Sequence, residues 1–428
     1  MERRDEIHAW AFYGFAQHVF AMNMLSLYFV FWVTKDMRAP DLAYSIALSG
    51  SMLLVALVAP AFGAYSDRLG KRTPFVIGLT ILCAASTALL ALLIPWLGSH
   101  ALIPALLVFA VANFAFNLAQ VFYNAQLPEL APPEKLGWVS GYGMGIGYLG
   151  TIVGVLLVMP FVTGKLLFWH LNLKAGGDVG AFVPTAAFFL LFSLPYFFRV
   201  RDRLPASTAK LRTPFWPEIG ESWRAATKVP GMIRYLIANL LFFDALNTVV
   251  GFMGVYAVKV VGLDEQKQEV QLVLMLATLF AIVGSLAWGQ MTDRLGAKRA
   301  LLLDLVVWVL ALFAIIFVRN KAVFTFGLAP MVGLAMGGTW TASRAMLSRL
   351  CPPENQAQFF GLYSLAGKFA AILGPMTWGL VTYAGRGMPL LKYPLAIASQ
   401  LIFVLAGLLL LASVPDDRPS ILPVPQQP

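Results

Sequence analysis

Apolar runs of roughly 20 residues, separated by short polar stretches, follow one another from end to end of the chain, and a run of that length crosses a hydrocarbon core as a helix. They predict spans at 9–33, 44–64, 75–97, 101–127, 139–163, 181–199, 231–258, 270–291, 300–318, 322–347, 358–384 and 391–413, twelve membrane helices in all. Within the fourth, "NFAFNLAQVFYN" sets Asn113, Asn117, Gln120 and Asn124 at i, i+4, i+7 and i+11, one narrow helical face. An amide left unpaired in hydrocarbon costs several kcal/mol. The stripe therefore faces protein or water: it lines a polar cavity or hydrogen-bonds to neighbouring helices, and Asn124, near the cytoplasmic end, fits a structural role equally.

Composition sharpens this picture. The 428 residues are 59% hydrophobic and 12% charged, with a mean hydropathy of +0.75, which marks an integral membrane protein. The net charge of +10 is topological: Lys and Arg at the termini and in the loops after even-numbered spans outnumber those after odd-numbered spans by about two to one, which places both termini in the cytoplasm. The first residues, "MERRDEIHAW", lead into a full-length span, so no cleaved signal peptide is expected. Cys83 and Cys351 have no neighbours that make a metal or redox motif. Metals and cofactors are not expected.

The chain reads as two halves. A basic, Pro-containing linker at 201–229 joins an N-terminal six-helix half, 1–200, to a C-terminal one, 230–414, and the proline-rich tail 415–428 is expected to be disordered. "GAYSDRLGKRTP" after span 2 returns as "GQMTDRLGAKRA" after span 8, and Gly141, Gly147 and Gly154 return as Gly361, Gly367 and Gly374. The fold expected is an all-α membrane protein of two six-helix pseudo-repeats.

The repeated turn resembles the signature of the major facilitator superfamily between helices 2 and 3. Gly63, Asp67, Arg68, Gly70, Lys71 and Arg72 match it, and Gly289, Asp293, Arg294, Gly296, Lys298 and Arg299 match it with one insertion at Ala297. A carboxylate with Arg at such a turn can hold helix ends together and release them when the halves tilt, so Asp67, Arg68, Arg72, Asp293, Arg294 and Arg299 are gating candidates; the alternative is a turn kept polar for topology. Within the superfamily, "WAFYGFAQHVFA", "VFYNAQLPELAPPEKLGWVSGYGMGIGYLG", "FFDALNTVVGFMGVYA" and "SRAMLSRLCPPENQAQFFGLYSLAGKFAAILGP" resemble the vacuole-effluxer group, the autophagy-related amino-acid permeases and their bacterial relatives. The resemblance implies amino-acid transport and places Asn113, Asn117 and Gln120 on a cavity-lining helix. Relatives usually carry Asp and Asn where this chain has Gly14 and Gln17, followed here by His18. In span 5, Gly141, Gly150 and Gly154 follow the superfamily's antiporter spacing with Val155 in place of Pro, and Gly361, Ala370, Gly374, Pro375 and Gly379 follow it in span 11; small residues at such positions also serve ordinary close packing.

Other polar groups complete the candidate site. Asp244, mid-membrane in span 7 with Asn247 nearby, is a candidate for binding a substrate cation or a proton, or a structural acid paired with Arg344 or Lys368. Span 1 offers Gln17, His18 and Asn23, with His18 a second coupling candidate if water reaches it and otherwise a packing residue. Span 10 carries Trp340, Ser343 and Arg344; Arg344 either clamps an anionic group or snorkels to the surface. Lys368 in span 11 lies deep enough for pairing or anion binding, and Asp304 is expected to pair with nearby basic loop residues.

Three functions compete. The first is alternating-access transport of a small polar or zwitterionic, amino-acid-like metabolite, with protons as the candidate coupling ion. The second is transport or flipping of amphiphiles such as lysophospholipids or hydrophobic drugs, to which Phe116, Phe122, Tyr123, Phe242, Phe243 and Met336 are suited. The third, a receptor or scaffold without transport, fits the intact repeat and paired turns poorly. No phosphate loop or nucleophile elbow is present, so an enzyme is not expected, nor is a nucleic-acid partner. The expected partners are a small-molecule substrate and the lipid bilayer, the expected state a monomer, and the expected location a bacterial inner membrane.

Overall fold

The computed structural model describes residues 2–39, 41–166, 169–170, 175–203, 215–263, 269–388 and 390–415. Lys368 falls in a helix, but its side chain and those of 369–372 lie outside the description, as do linker residues 204–214 and the tail beyond Pro415. Eleven described helices are long and apolar enough to cross a membrane: α1 Arg4–Asp36, α2 Ala43–Leu69, α3 Thr73–His100, α4 Leu102–Leu130, α5 Pro133–Thr163, α6 Asp178–Arg199, α7 Met232–Val261, α8 Leu272–Leu295, α9 Ala297–Phe317, α10 Lys321–Leu350 and, at the end, Lys392–Ala412. Between the last two runs α11, Gln356–Ala384, which makes Lys392–Ala412 α12. Each overlaps one of the twelve apolar runs. Helices dominate because, in hydrocarbon, a helix satisfies its own N–H and C=O groups.

The chain divides into two compact units. Unit 1 holds Met1–Leu130, Tyr142–Trp223 and Glu354–Lys368, and unit 2 holds Ala131–Gly141, Arg224–Pro353 and Phe369–Pro428. The first turns of α5 therefore belong with the C-terminal helices, and the first turns of α11 with the N-terminal ones. Unit 1 is cored by aromatics, with Phe29 stacked on Phe109 at 4.2 Å between ring centroids and Phe20 tilted against Phe116 at 4.8 Å. In unit 2, Trp308 and Tyr256 are fully buried, and the Tyr256 hydroxyl donates to the Ile315 carbonyl at 2.7 Å.

The pseudo-repeat extends to the backbone. Gly70 and Gly296, the turn glycines of the two matching loops, both take positive φ, 62° and 90°, a region costly for residues with a Cβ. Spans α1 and α7 each end in a π-helical segment, Trp32–Asp36 and Ala257–Val261, and further such segments occur at Ala21–Leu27 and Phe324–Leu328 in α1 and α10. Wide turns of this kind leave backbone groups off the regular ladder and often mark functional positions. The linker contains a helix, Phe215–Lys228, whose Ser222 accepts from Gln358 Nε2 at 2.8 Å.

Candidate functional site: charged turns and buried polar clusters

In unit 1, the Asp67 carboxylate caps the start of α11. It accepts from the backbone N–H groups of Ala357 at 3.1 Å and Gln358 at 2.8 Å, donors that a helix leaves without an internal partner. Gly63 lets the backbones meet, since a methyl group there would collide with the Ala357 carbonyl. The partner of Asp67 is Arg72, at 2.6 Å and 1% exposed. Arg72 also binds the Ala125 carbonyl at 2.8 Å and pairs with Glu129. Asp202 caps α3 through the N–H groups of Arg72 and Thr73, both at 2.9 Å.

Unit 2 repeats the device. Asp293 accepts from the N–H groups of Gly137 and Trp138 at the start of α5, both at 2.7 Å. Arg349 stands 3.7 Å from Asp293 and donates to the Pro133 carbonyl at 2.8 Å. The two acids of the turns thus hold the starts of the equivalent helices α5 and α11. Of the other gating candidates, Arg68 is half-buried, and Arg294 and Arg299 are exposed.

The amide stripe of α4 is bonded into unit 1. Asn117 Nδ2 donates to the Oδ1 and backbone oxygen of Asn113, both at 2.8 Å, and Asn113 Nδ2 donates to Ser51 Oγ on α2 at 2.7 Å. Gln120 is half-buried. On α1, Gln17 is buried, Asn23 Nδ2 returns to the Val19 carbonyl at 2.9 Å, and His18 Nδ1 lies 2.9 Å from the Gly14 carbonyl. The glycines of α5 fit this helix: Gly147 faces the His18 ring, Gly150 the Phe15 carbonyl and Gly154 the Val19 backbone.

Unit 2 holds further buried charges. Asp244 on α7 is 1% exposed, and neither carboxylate oxygen has a hydrogen-bond partner among the described residues. Asn247 is exposed. Arg344 is buried and donates to the Ser140 carbonyl at 2.7 Å, while Ser343 Oγ donates to the Thr339 carbonyl at 2.5 Å and Trp340 packs on Phe243 at 4.4 Å. Lys368, the remaining site candidate, lies outside the described side chains.

Asp304 departs from its expected loop pairing. It is fully buried between α9 and α10, where Thr339 Oγ1 donates to Oδ2 at 2.5 Å and itself accepts from Trp308 Nε1 at 2.9 Å. Its basic neighbour Lys298 donates instead to the Val414 carbonyl. The sequence signal for this arrangement was Asp304 four residues before Trp308 on α9, paired with Thr339 in the otherwise small-residue stretch of α10. Among the described residues no group of three His, Cys, Asp or Glu side chains is placed to hold a metal.

This architecture has known counterparts. The vacuole effluxer Atg22-like family matches residues 42–419. The chain belongs to that family. An uncharacterized MFS-type transporter, YxiO, of Bacillus subtilis (strain 168) is 25% identical over 421 residues, covering 96% of this chain and 95% of the relative. Autophagy-related protein 22-1 of Aspergillus fumigatus is 25% identical over 271 residues, 57% of this chain and 43% of that protein. Among solved structures, a bacterial homologue of the iron transporter ferroportin aligns with a TM-score of 0.72 at 14% identity, covering 96% of this chain and 98% of that one. The human organic anion transporter MFSD10 aligns with a TM-score of 0.69 at 16% identity over 96% and 100% of the two chains. At such identities the structural likeness establishes the fold, that of the major facilitator superfamily. This Atg22-like chain is therefore an integral membrane transporter of that type.

Proposed function

We propose that this Atg22-like protein moves a small polar or zwitterionic, amino-acid-like metabolite by alternating access, coupled to protons through Asp244. The observation that carries the reading is the Asp244 carboxylate, buried in α7 with both oxygens unpartnered among the described residues. Leaving a carboxylate this way in a membrane helix is costly, and such acids mark ion or substrate pathways. Polar side chains on α1 (Gln17, His18, Asn23), α4 (Asn113, Asn117, Gln120), α7 (Asn247), α10 (Trp340, Ser343, Arg344) and α11 (Lys368) are assigned to substrate, with His18 as the second titratable group of the pathway. The caps at Asp67 and Asp293, with Arg68, Arg72, Arg294 and Arg299, are assigned to gating. The protein works as a monomer in a bacterial inner membrane with both termini cytoplasmic; the family name, a vacuole effluxer, supports export of a solute, and the Bacillus relative supports the location.

Thermal unfolding of the purified protein against amino acids, short peptides, sugars and lysophospholipids tests the substrate class. A ligand at about 100 times its dissociation constant adds roughly 2.7 kcal/mol to the folded state. Stabilisation by amino acids that is lost in Asp244→Asn is expected; stabilisation by none of the polar solutes contradicts the reading.

A second reading, amphiphile transport, has one observation in its favour. An apolar pocket of about 90 Å³ in unit 2 is lined by Val250, Met253, Leu274, Phe324, Leu328 and Met336, and suits a short apolar group. Stabilisation by lysophospholipids alone would select it.

A further inference from the structure

Asp304 raises a question of protons. It is fully buried on α9, and its Oδ1 has no hydrogen-bond partner among the described residues. That oxygen is packed against carbon: a Cβ on Gly338 of α10 would collide with it and stand 2.5 Å from Trp288 Cδ1 of α8. The other oxygen, Oδ2, meets the Thr339 hydroxyl at 2.5 Å.

No described cation balances a charge there. The helices packed on α9 are α8, α10 and α12. On α12 the charged or titratable side chains are Lys392 and Tyr393, at the end away from Val414, whose carbonyl takes Lys298 of α9. On α8 they are Asp293, bound to the start of α5, and Arg294, which is exposed. On α10, Lys321 pairs with Glu269, Arg349 stands by Asp293, and Arg344 donates to the Ser140 carbonyl. Arg299, near the start of α9, is exposed, and Lys368 of α11 groups with unit 1. An ionised carboxylate left this way in an apolar interior is costly, and such a group takes up a proton instead.

The contacts of Thr339 count that proton. Its Oγ1 meets Trp308 Nε1 at 2.9 Å, Asp304 Oδ2 at 2.5 Å and the Ala335 carbonyl at 3.0 Å. The indole N–H only donates, and the hydroxyl brings a single hydrogen. With the acid ionised, that hydrogen is divided between Oδ2 and the Ala335 carbonyl, and charge stays on an unserved Oδ1. With a proton on Oδ2, the acid donates to Oγ1 and the hydroxyl donates to the Ala335 carbonyl. Oγ1 then accepts two bonds on its two lone pairs, and each contact has its own hydrogen. Oδ1 becomes a neutral carbonyl oxygen, less costly to leave unpaired than a charged one.

We infer that Asp304 is a proton-binding site: it holds a proton on Oδ2 and gives it to Thr339 as the hydrogen bond that ties α9 to α10. The bond runs from acid to hydroxyl, the reverse of its direction for an ionised Asp304. The site is separate from Asp244 on α7. Its occupancy is measured without any substrate, so it stands or falls apart from the transport reading. It also gives Gly338 a purpose, since a side chain there would displace the carboxyl from between α9 and α10.

The test is infrared spectroscopy of the full-length purified protein at neutral pH, because a protonated carboxyl has a C=O stretching band that a carboxylate lacks. Wild type should show a component of that band that is missing from Asp304→Asn and kept in Asp244→Asn. Unfolding in weakly buffered solution gives a second reading. An exposed aspartate is ionised at neutral pH, so wild type should release about one proton more on unfolding than Asp304→Asn does. The same carboxylic band in wild type and Asp304→Asn, or equal proton release by the two, overturns the site. Should Asp304→Asn fail to fold, the hydroxyl decides. Thr339→Val should shift the Asp304 band, because the acid loses its acceptor, and Thr339→Ser should return it; one unchanged band in all three proteins overturns the site.

Discussion

At the residue scale, two buried acids divide the chemistry of unit 2. Asp244 stood out in the sequence as a lone acid inside an apolar run, and the structure buries it. Asp304 was misread because it follows the basic "GAKRA" turn closely, and sequence distance to Lys298 and Arg299 stood in for contact. The structure turns it inward onto Thr339 and Trp308, so its work is to tie α9 to α10. Removing it takes the 2.5 Å partner from the buried Thr339 hydroxyl, which keeps only the Ala335 carbonyl of its own helix, at a cost of about 1 kcal/mol or more. Asp304→Ala should therefore lower the unfolding temperature in detergent, while Asp304→Asn, which keeps an oxygen acceptor without the charge, should recover most of the loss. Equal behaviour of the two variants would mean that the hydrogen bond to Thr339 contributes nothing. Arg344 was left between clamping an anion and snorkelling; its bond to the Ser140 carbonyl is a contact no periodicity announces, because the two residues are distant in sequence.

At the element scale, the repeated turn was legible as a motif but not in its partners. Sequence offers Arg68 and Arg72 alike beside the acid; Asp67 binds Arg72 and the first N–H groups of α11, and Asp293 binds those of α5. A helix start offers donors whatever its side chains, so nothing in the residues at 357–358 or 137–138 marks them as ligands. The two caps differ in what their loss would leave behind. Asp67→Ala takes from the buried Arg72 one of its two carboxylate partners, leaving Glu129, and also frees the first N–H groups of α11, so its cost exceeds that of a cap alone and approaches about 3 kcal/mol, the low end for breaking a buried pair. Asp293 is half-buried, and its loss is closer to that of an ordinary helix cap, about 1 kcal/mol. Thermal or denaturant unfolding of both variants should show the larger loss for Asp67→Ala; equal losses would contradict the burial argument. The glycines Gly141, Gly150 and Gly154 of α5 had two readings, an antiporter device or packing; Gly150 lies closely against Phe15 and Gly154 against Val19 of α1, and Gly141 against Ser285 and Gly289 of α8.

At the scale of the whole molecule, each of the eleven described helices long and apolar enough to cross a membrane falls on one of the apolar runs, because the bilayer imposes one length and one hydrogen-bonding solution on each. The two-fold repeat was equally readable, from the turns and from the glycines, and the paired φ values of Gly70 and Gly296 and the paired π-helical ends of α1 and α7 extend it to the backbone. The unit boundaries were not readable, since the start of a helix and its middle carry the same apolar composition while packing with different neighbours. Substrate chemistry is a property of the assembled polar groups, and the central claim is that Asp244 serves a transport cycle for a small polar solute. The most direct measurement is uptake of radiolabelled amino acids into proteoliposomes holding wild type or Asp244→Asn, with an imposed cation gradient. The account predicts gradient-driven accumulation by wild type and its loss in Asp244→Asn, with both proteins folded and monodisperse. Accumulation by Asp244→Asn equal to that of wild type, or movement of lysophospholipid with no amino-acid uptake, would contradict it.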